Sequence, residues 1–138
     1  SALSLGNKNA QITTIECCPE TVKIAQEQFN NYHLDNIDLK NATFENILPQ
    51  LTSNQYDLVY IDGNHQKEAT INYFETLLPT VTNETVFIFD DIHWSEGMTE
   101  AWESIKNHPK VTVSIDTFFW GIVFFRKEQA KEHFIIRT

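Results

Sequence analysis

The chain reads as an α/β domain, a mostly parallel sheet with helices on both faces, closed by an antiparallel strand pair. Two observations predict this. Strand-like and helix-like segments alternate four times, the pattern that covers both faces of a parallel sheet, with right-handed crossovers between strands. Two further apolar runs, Val111 to Ile115 and Gly121 to Phe125, are then separated by a short turn and pair antiparallel.

Each element has a local reason. Gln11 to Ile15 is β-rich and stops on Glu16. Cys18-Pro19-Glu20 opens a helix, with proline in the first turn and an acid near the positive end. Val22, Ala25, Phe29 and Tyr32 follow at near-helical spacing and make its apolar face. Leu34 to Lys40 holds a turn and a short strand, and Phe44 to Leu51 a brief helix. Leu58 to Ile61 is a strand, and His65 to Leu78 a helix packed through Ala69, Tyr73 and Leu77, ended by Pro79. Val86 to Phe89 has four apolar residues without alternation, as in a strand buried on both faces. Trp94 to Asn107 is a helix burying Met98, Ala101, Trp102 and Ile105.

With 138 residues the chain forms one domain with one core. Its longest apolar run, Phe118 to Phe125, falls far short of the roughly 20 residues of a membrane helix. A net charge of −9 argues against nucleic acid or an anionic membrane as partner. Cys17 and Cys18 are adjacent, make no disulfide framework and fit a reduced, cytoplasmic setting.

The chemistry gathers where strands stop on acids. Ligands of open α/β sheets bind along the C-terminal strand edge, and Asp62, Asp90 and Asp91 end or follow two such strands. Two adjacent carboxylates repel one another unless a proton or a cation intervenes, and with Asp62 they supply the hard oxygens that Mg²⁺ prefers. The plainer reading is one helix cap and one solvated acid. In Asp62-Gly63-Asn64-His65, Gly63 allows a sharp turn and His65 enters the first turn of a helix, whose dipole favours the neutral base; alternatively Asp62 caps and His65 is exposed. Glu16, at a strand end before a helix, suits a ribose diol, or is an ordinary first-turn charge. Cys17 and Cys18 either pack beside a base or are small buried hydrophobes. Thr43 and Phe44 fit an adenine edge and face, or Thr43 caps the following helix. Trp94 and the run Phe118-Phe119-Trp120 either line a pocket or pack in the core.

These stretches resemble the class I S-adenosylmethionine-dependent methyltransferases, specifically small-molecule O-methyltransferases related to the catechol and caffeoyl-CoA enzymes. The likeness is carried by TTIECCPETVKIAQEQF, YDLVYIDGNHQKEATINYFETLLP and VFIFDDIHWSEGM, in order and at family spacing over residues 5 to 126. It implies a Rossmann-like three-layer sandwich and S-adenosylmethionine as cofactor, with Glu16 on its ribose and Cys17, Thr43, Phe44 and Asp62 around it. Asp62, Asp90 and Asp91 fall where metal-dependent members hold Mg²⁺ or another divalent cation, although their third ligand is usually an amide. His65 stands at the place of their catalytic lysine, where with Asp62 it can serve as general base on a substrate hydroxyl.

The family's first strand and glycine-rich loop have no counterpart before Glu16, so the expectation is a single domain over 1–138, incomplete at its N-terminus, whose bare strand edges invite a homodimer. The expected activity is methyl transfer from S-adenosylmethionine to a small-molecule oxygen nucleophile. The alternative is a non-catalytic binding or assembly module that keeps the fold.

Overall fold

A computed structural model describes residues 2–137. The chain divides into two compact units, 1–47 and 48–138.

The first unit begins with a short helix, α1 (Ala2–Gly6), and then alternates strand β1 (Ile12–Glu16), helix α2 (Pro19–Asn31) and strand β2 (Ile37–Asn41). β1 and β2 pair in parallel from Ile12↔Ile37 to Glu16↔Asn41. Pro19 occupies the first turn of α2, where its missing N–H costs nothing, and Cys18 is the N-cap. The expected apolar face is only half-buried at Val22, Ala25 and Phe29, and Tyr32, the C-cap, is exposed. Ser4 Oγ donates to Asn36 Oδ1 at 2.5 Å, and Asn36 Nδ2 donates to the Ala10 carbonyl at 2.8 Å, which ties α1 to the turn before β2. Helix α3 (Phe44–Leu51) starts in this unit and ends in the next.

In the second unit, strands β3 (Leu58–Ile61), β4 (Val86–Asp90), β5 (Val113–Asp116), β6 (Trp120–Phe124) and β7 (Glu132–Ile135) form one sheet in the order β3-β4-β6-β5-β7. β3 runs parallel to β4, and β6 is antiparallel to both β4 and β5, so β3, β4 and β5 all point the same way. Helices α4 (Lys67–Leu77) and α5 (Glu96–Asn107) cover one face. There Phe74 meets Phe87 and Phe89 edge-on with ring centroids 6.2 and 6.0 Å apart, and Trp102 packs over Gly121. Thr70 Oγ1 reaches Met98 Sδ at 3.4 Å between the two helices.

Four expectations change. Helix α4 starts at Lys67, leaving His65 in the loop ahead of its N-cap Gln66. Helix α5 starts at Glu96 because Ser95 Oγ accepts the Met98 N–H at 3.2 Å; Trp94 lies outside it and is 72 % exposed. β4 is not buried evenly: Phe87 and Phe89 are fully buried, Val86 and Ile88 half-buried. A strand beyond the expected antiparallel pair, β7, adds parallel to β5 with every residue exposed. Among the described residues no helix is long and apolar enough to cross a membrane.

Candidate active site at the strand ends

On the first unit, Glu16 and Asn41 lie side by side at the ends of paired strands. The Glu16 carbonyl accepts from Asn41 Nδ2 at 2.9 Å, and Glu16 Oε1 accepts the Cys18 N–H at 2.8 Å. The half-buried Glu16 carboxylate thus keeps one oxygen on its own chain and has a second to offer. Cys17 and Cys18 are both exposed, which corrects their reading as buried hydrophobes: they leave β1 at its edge, before any helix covers them. Thr43 is exposed, and its carbonyl accepts the Asn46 and Ile47 N–H groups at 3.2 Å each, so it opens α3 through its backbone.

On the second unit, β3 and β4 deliver Asp62 and Asp90 to the same sheet edge, as their register requires. The loops after them carry two left-handed residues, Asn64 at φ 47° and Asp91 at φ 52°. Asn64 is anchored by its Nδ2, which donates to the Tyr73 hydroxyl at 3.1 Å. His65 is thereby placed between two carboxylates: Nε2 is 3.5 Å from Asp62 Oδ1, and Nδ1 is 3.9 Å from Asp91 Oδ2. Trp94 stands 6.4 Å from the His65 ring, centroid to centroid.

Asp90 and Asp91 part company. Asp90 ends β4 opposite Trp120 and accepts a hydrogen bond from the Tyr60 hydroxyl, whereas Asp91 turns toward His65. Among the described residues no group of three or more His, Cys, Asp or Glu side chains is placed to hold a metal ion. The donor set as folded therefore does not fit the divalent cation that the sequence resemblance implies.

Sequence reasoning missed Tyr60 and Asp116. Burial first, then the charge of Asp90, its hydrogen bond and the charge of Asp62, push the Tyr60 hydroxyl up to about 12, against a smaller lowering by the Trp120 indole. A raised folded pKa stabilises fully below the ordinary value of 10.0, and that contribution is lost as pH rises through about 12. Spectrophotometric titration is expected to show a tyrosine component that ionises near pH 12 and disappears in Tyr60→Phe; a variant that instead loses a component near 10.0 would refute it.

Asp116 ends β5 on the same edge as Asp62 and Asp90, and is 8 % exposed. Burial pushes its carboxyl up, but hydrogen bonds from His93, the Phe118 N–H and Arg137, with the charge of His93, outweigh this and hold it below the ordinary range. The signal was present in Val113-Ser114-Ile115-Asp116, a further apolar run stopping on an acid.

A family model described as a methyltransferase domain matches residues 1–92, from α1 through β4, with Glu16, Asp62, His65 and Asp90 inside it. The chain belongs to the methyltransferase domain family. This methyltransferase domain shares the Rossmann-like α/β fold of solved structures. The SAH-bound methyltransferase PaMTH1 of Podospora anserina is 17 % identical with TM-score 0.73, over 87 % of this chain and 62 % of that one. The Bacillus cereus O-methyltransferase in complex with SAH is 20 % identical with TM-score 0.67, over 83 % and 63 %. The Streptomyces achromogenes O-methyltransferase TomG in complex with SAM is 16 % identical with TM-score 0.70, over 86 % and 63 %. The methyltransferase domain thus aligns with less than two thirds of the length of these structures. No curated protein matches it by sequence.

Proposed function

We propose that residues 1–138 belong to a single domain that transfers a methyl group from S-adenosylmethionine to a hydroxyl of a small molecule, with His65 as general base. The observation that carries this reading is the seat of His65 between Asp62 and Asp91 at the C-terminal sheet edge, inside the segment matched by the methyltransferase family. The cofactor assignment is supported by the SAM- and SAH-bound structures of the same fold. Glu16, with its spare carboxylate oxygen, is the residue for the ribose, and Cys17, Thr43 and Phe44 are the adjoining cofactor residues of the first unit.

The acceptor oxygen attacks the methyl carbon, the carbon–sulfur bond breaks, and the sulfonium leaves as a neutral thioether. The hydroxyl proton passes to one imidazole nitrogen of His65. The carboxylate beside the other nitrogen steadies the imidazolium that results. No step is routed through a metal, because Asp62, Asp90 and Asp91 do not converge. Turnover is accordingly expected to survive exhaustive chelation; activity lost to chelator and restored by Mg²⁺ would return the three acids to a metal role.

The experiment is calorimetric binding of S-adenosylhomocysteine, followed by a screen of hydroxylated small molecules with S-adenosylmethionine, read as product thioether formed. Binding together with turnover of at least one acceptor supports the reading. Neither cofactor binding nor turnover would leave a non-catalytic module of the same fold.

A further inference from the structure

Asp116 sits at the hub of four segments. His93 Nε2 lies 2.8 Å from Asp116 Oδ2, and since a carboxylate only accepts, that nitrogen carries the proton. The other ring nitrogen, Nδ1, faces Thr99 Oγ1 of α5 at 3.2 Å. Asp116 Oδ1 accepts the Phe118 N–H at 2.8 Å and Arg137 Nη1 at 2.9 Å, and the Asp116 carbonyl accepts Arg137 Nη1 at 2.9 Å and the Ile136 N–H at 2.8 Å. Phe118 lies 5.6 Å from the His93 ring and 5.7 Å beneath the Arg137 guanidinium. One buried carboxylate therefore binds the loop after β4, the turn between β5 and β6, and the residues after β7, and reaches α5 through His93.

Two backbone conformations explain why such a hub is needed. Asp91 at φ 52° and Phe118 at φ 78° are both left-handed without being glycine. Such residues persist only where their surroundings over-determine them. Phe118 is held directly. Asp91 is held through the next two residues of its loop: Ile92 is buried, its N–H donates to the Phe119 carbonyl at 3.3 Å, and His93 is gripped by Asp116. Released, Asp91 would relax to the ordinary side of the φ map and carry its carboxylate away from His65.

We propose that Asp116 is a positioning residue for the His65 site: through His93 it holds the Asp91 loop, and so the Asp91 carboxylate, against His65. The proposal rests on the reading of His65 as the base. Asp116 touches neither His65 nor Asp91, and its effect travels through His93 and the loop after β4.

The test is to record the imidazole nitrogen–proton spectra of the ¹⁵N-labelled protein alongside turnover. In Asp116→Ala the His65 resonances are expected to move although no contact of His65 is removed. Turnover should fall by about tenfold or more, as sub-ångström misplacement of a reacting group does, while the Kd for S-adenosylhomocysteine stays within about twofold. His93→Leu should reproduce the loss. His93→Gln, which keeps a donor toward Asp116, should restore most of it, and these two serve if Asp116→Ala fails to fold. Unmoved His65 resonances in the folded variants overturn the proposal, whether turnover is unchanged or drops only with the folded fraction. A wild-type protein without methyl transfer would remove the function proposed above, and the spectra would still decide the positioning role.

Discussion

Replacing His65 with alanine is expected to lower methyl transfer by about 10²–10⁴-fold, the range a positioned general base supplies. Binding of S-adenosylhomocysteine should persist, because the role given to His65 is to take the acceptor's proton rather than to hold the cofactor. The loss should appear in kcat more than in acceptor KM, since the proton moves in the transition state. Asp62→Asn and Asp91→Asn each keep the shape beside the ring but remove the charge that steadies an imidazolium, so each should cost less than His65→Ala. Added imidazole offers a direct check: partial rescue of the alanine variant alone identifies a missing base. Turnover of His65→Ala at the wild-type rate would take the residue out of the mechanism.

Gly121→Ala is the largest stability loss expected from a single methyl group. A Cβ there would stand 2.5 and 2.7 Å from Trp102 Cζ3 and Cε3 and 2.9 Å from Ile92 Cγ2. Both neighbours are fully buried, at 2 % and 1 % exposed, so neither has room to yield. Overpacking of this kind costs about 1–3 kcal/mol, and more where the obstacle is rigid. With roughly 3 kcal/mol lost, Tm should fall by on the order of 10 °C for a chain of this size. Ile92 follows Asp91 directly, so the strain also reaches the loop beside His65. Gly97→Ala supplies the opposite sign in the same unit. It lies in α5, and its Cβ would meet only Lys67 Cβ at 3.6 Å and Ser95 Oγ at 3.8 Å, ordinary contact distances. Removing a helical glycine should then stabilise by about 0.5–1 kcal/mol. Thermal unfolding of the two variants side by side checks both; equal effects would mean the Trp102 contact is not what requires glycine at 121.

Much of the site was legible because strand ends are local features. Leu58–Ile61 forms a strand with the bounds its apolar run implies, and an acid one residue beyond must sit at the sheet edge. The same rule reached Glu16 and Asp90. It would have reached Asp116 had the run from Val111 been followed one residue further. The start of α5 was equally legible, since Ser95 is a preferred N-cap residue, yet the apolar Trp94 drew the boundary forward. For α4 no such signal exists: Gln66 caps it without a side-chain hydrogen bond.

By itself the sequence determined which carboxylates and which histidine stand at the C-terminal strand ends, because alternation of strand and helix and the residue that ends each apolar run are set over a few neighbouring positions. Only the tertiary structure decided how those groups face one another. The left-handed turn at Asp91 sends adjacent acids to different partners, Asp90 to Tyr60 and Asp91 to His65. That turn is upheld by Asp116, far along the chain on another strand, and β7 exists only because β5 offers it hydrogen bonds. Backbone conformations that cost energy, and edge strands with no buried face, are stabilised by contacts distant in sequence, so no local pattern announces them.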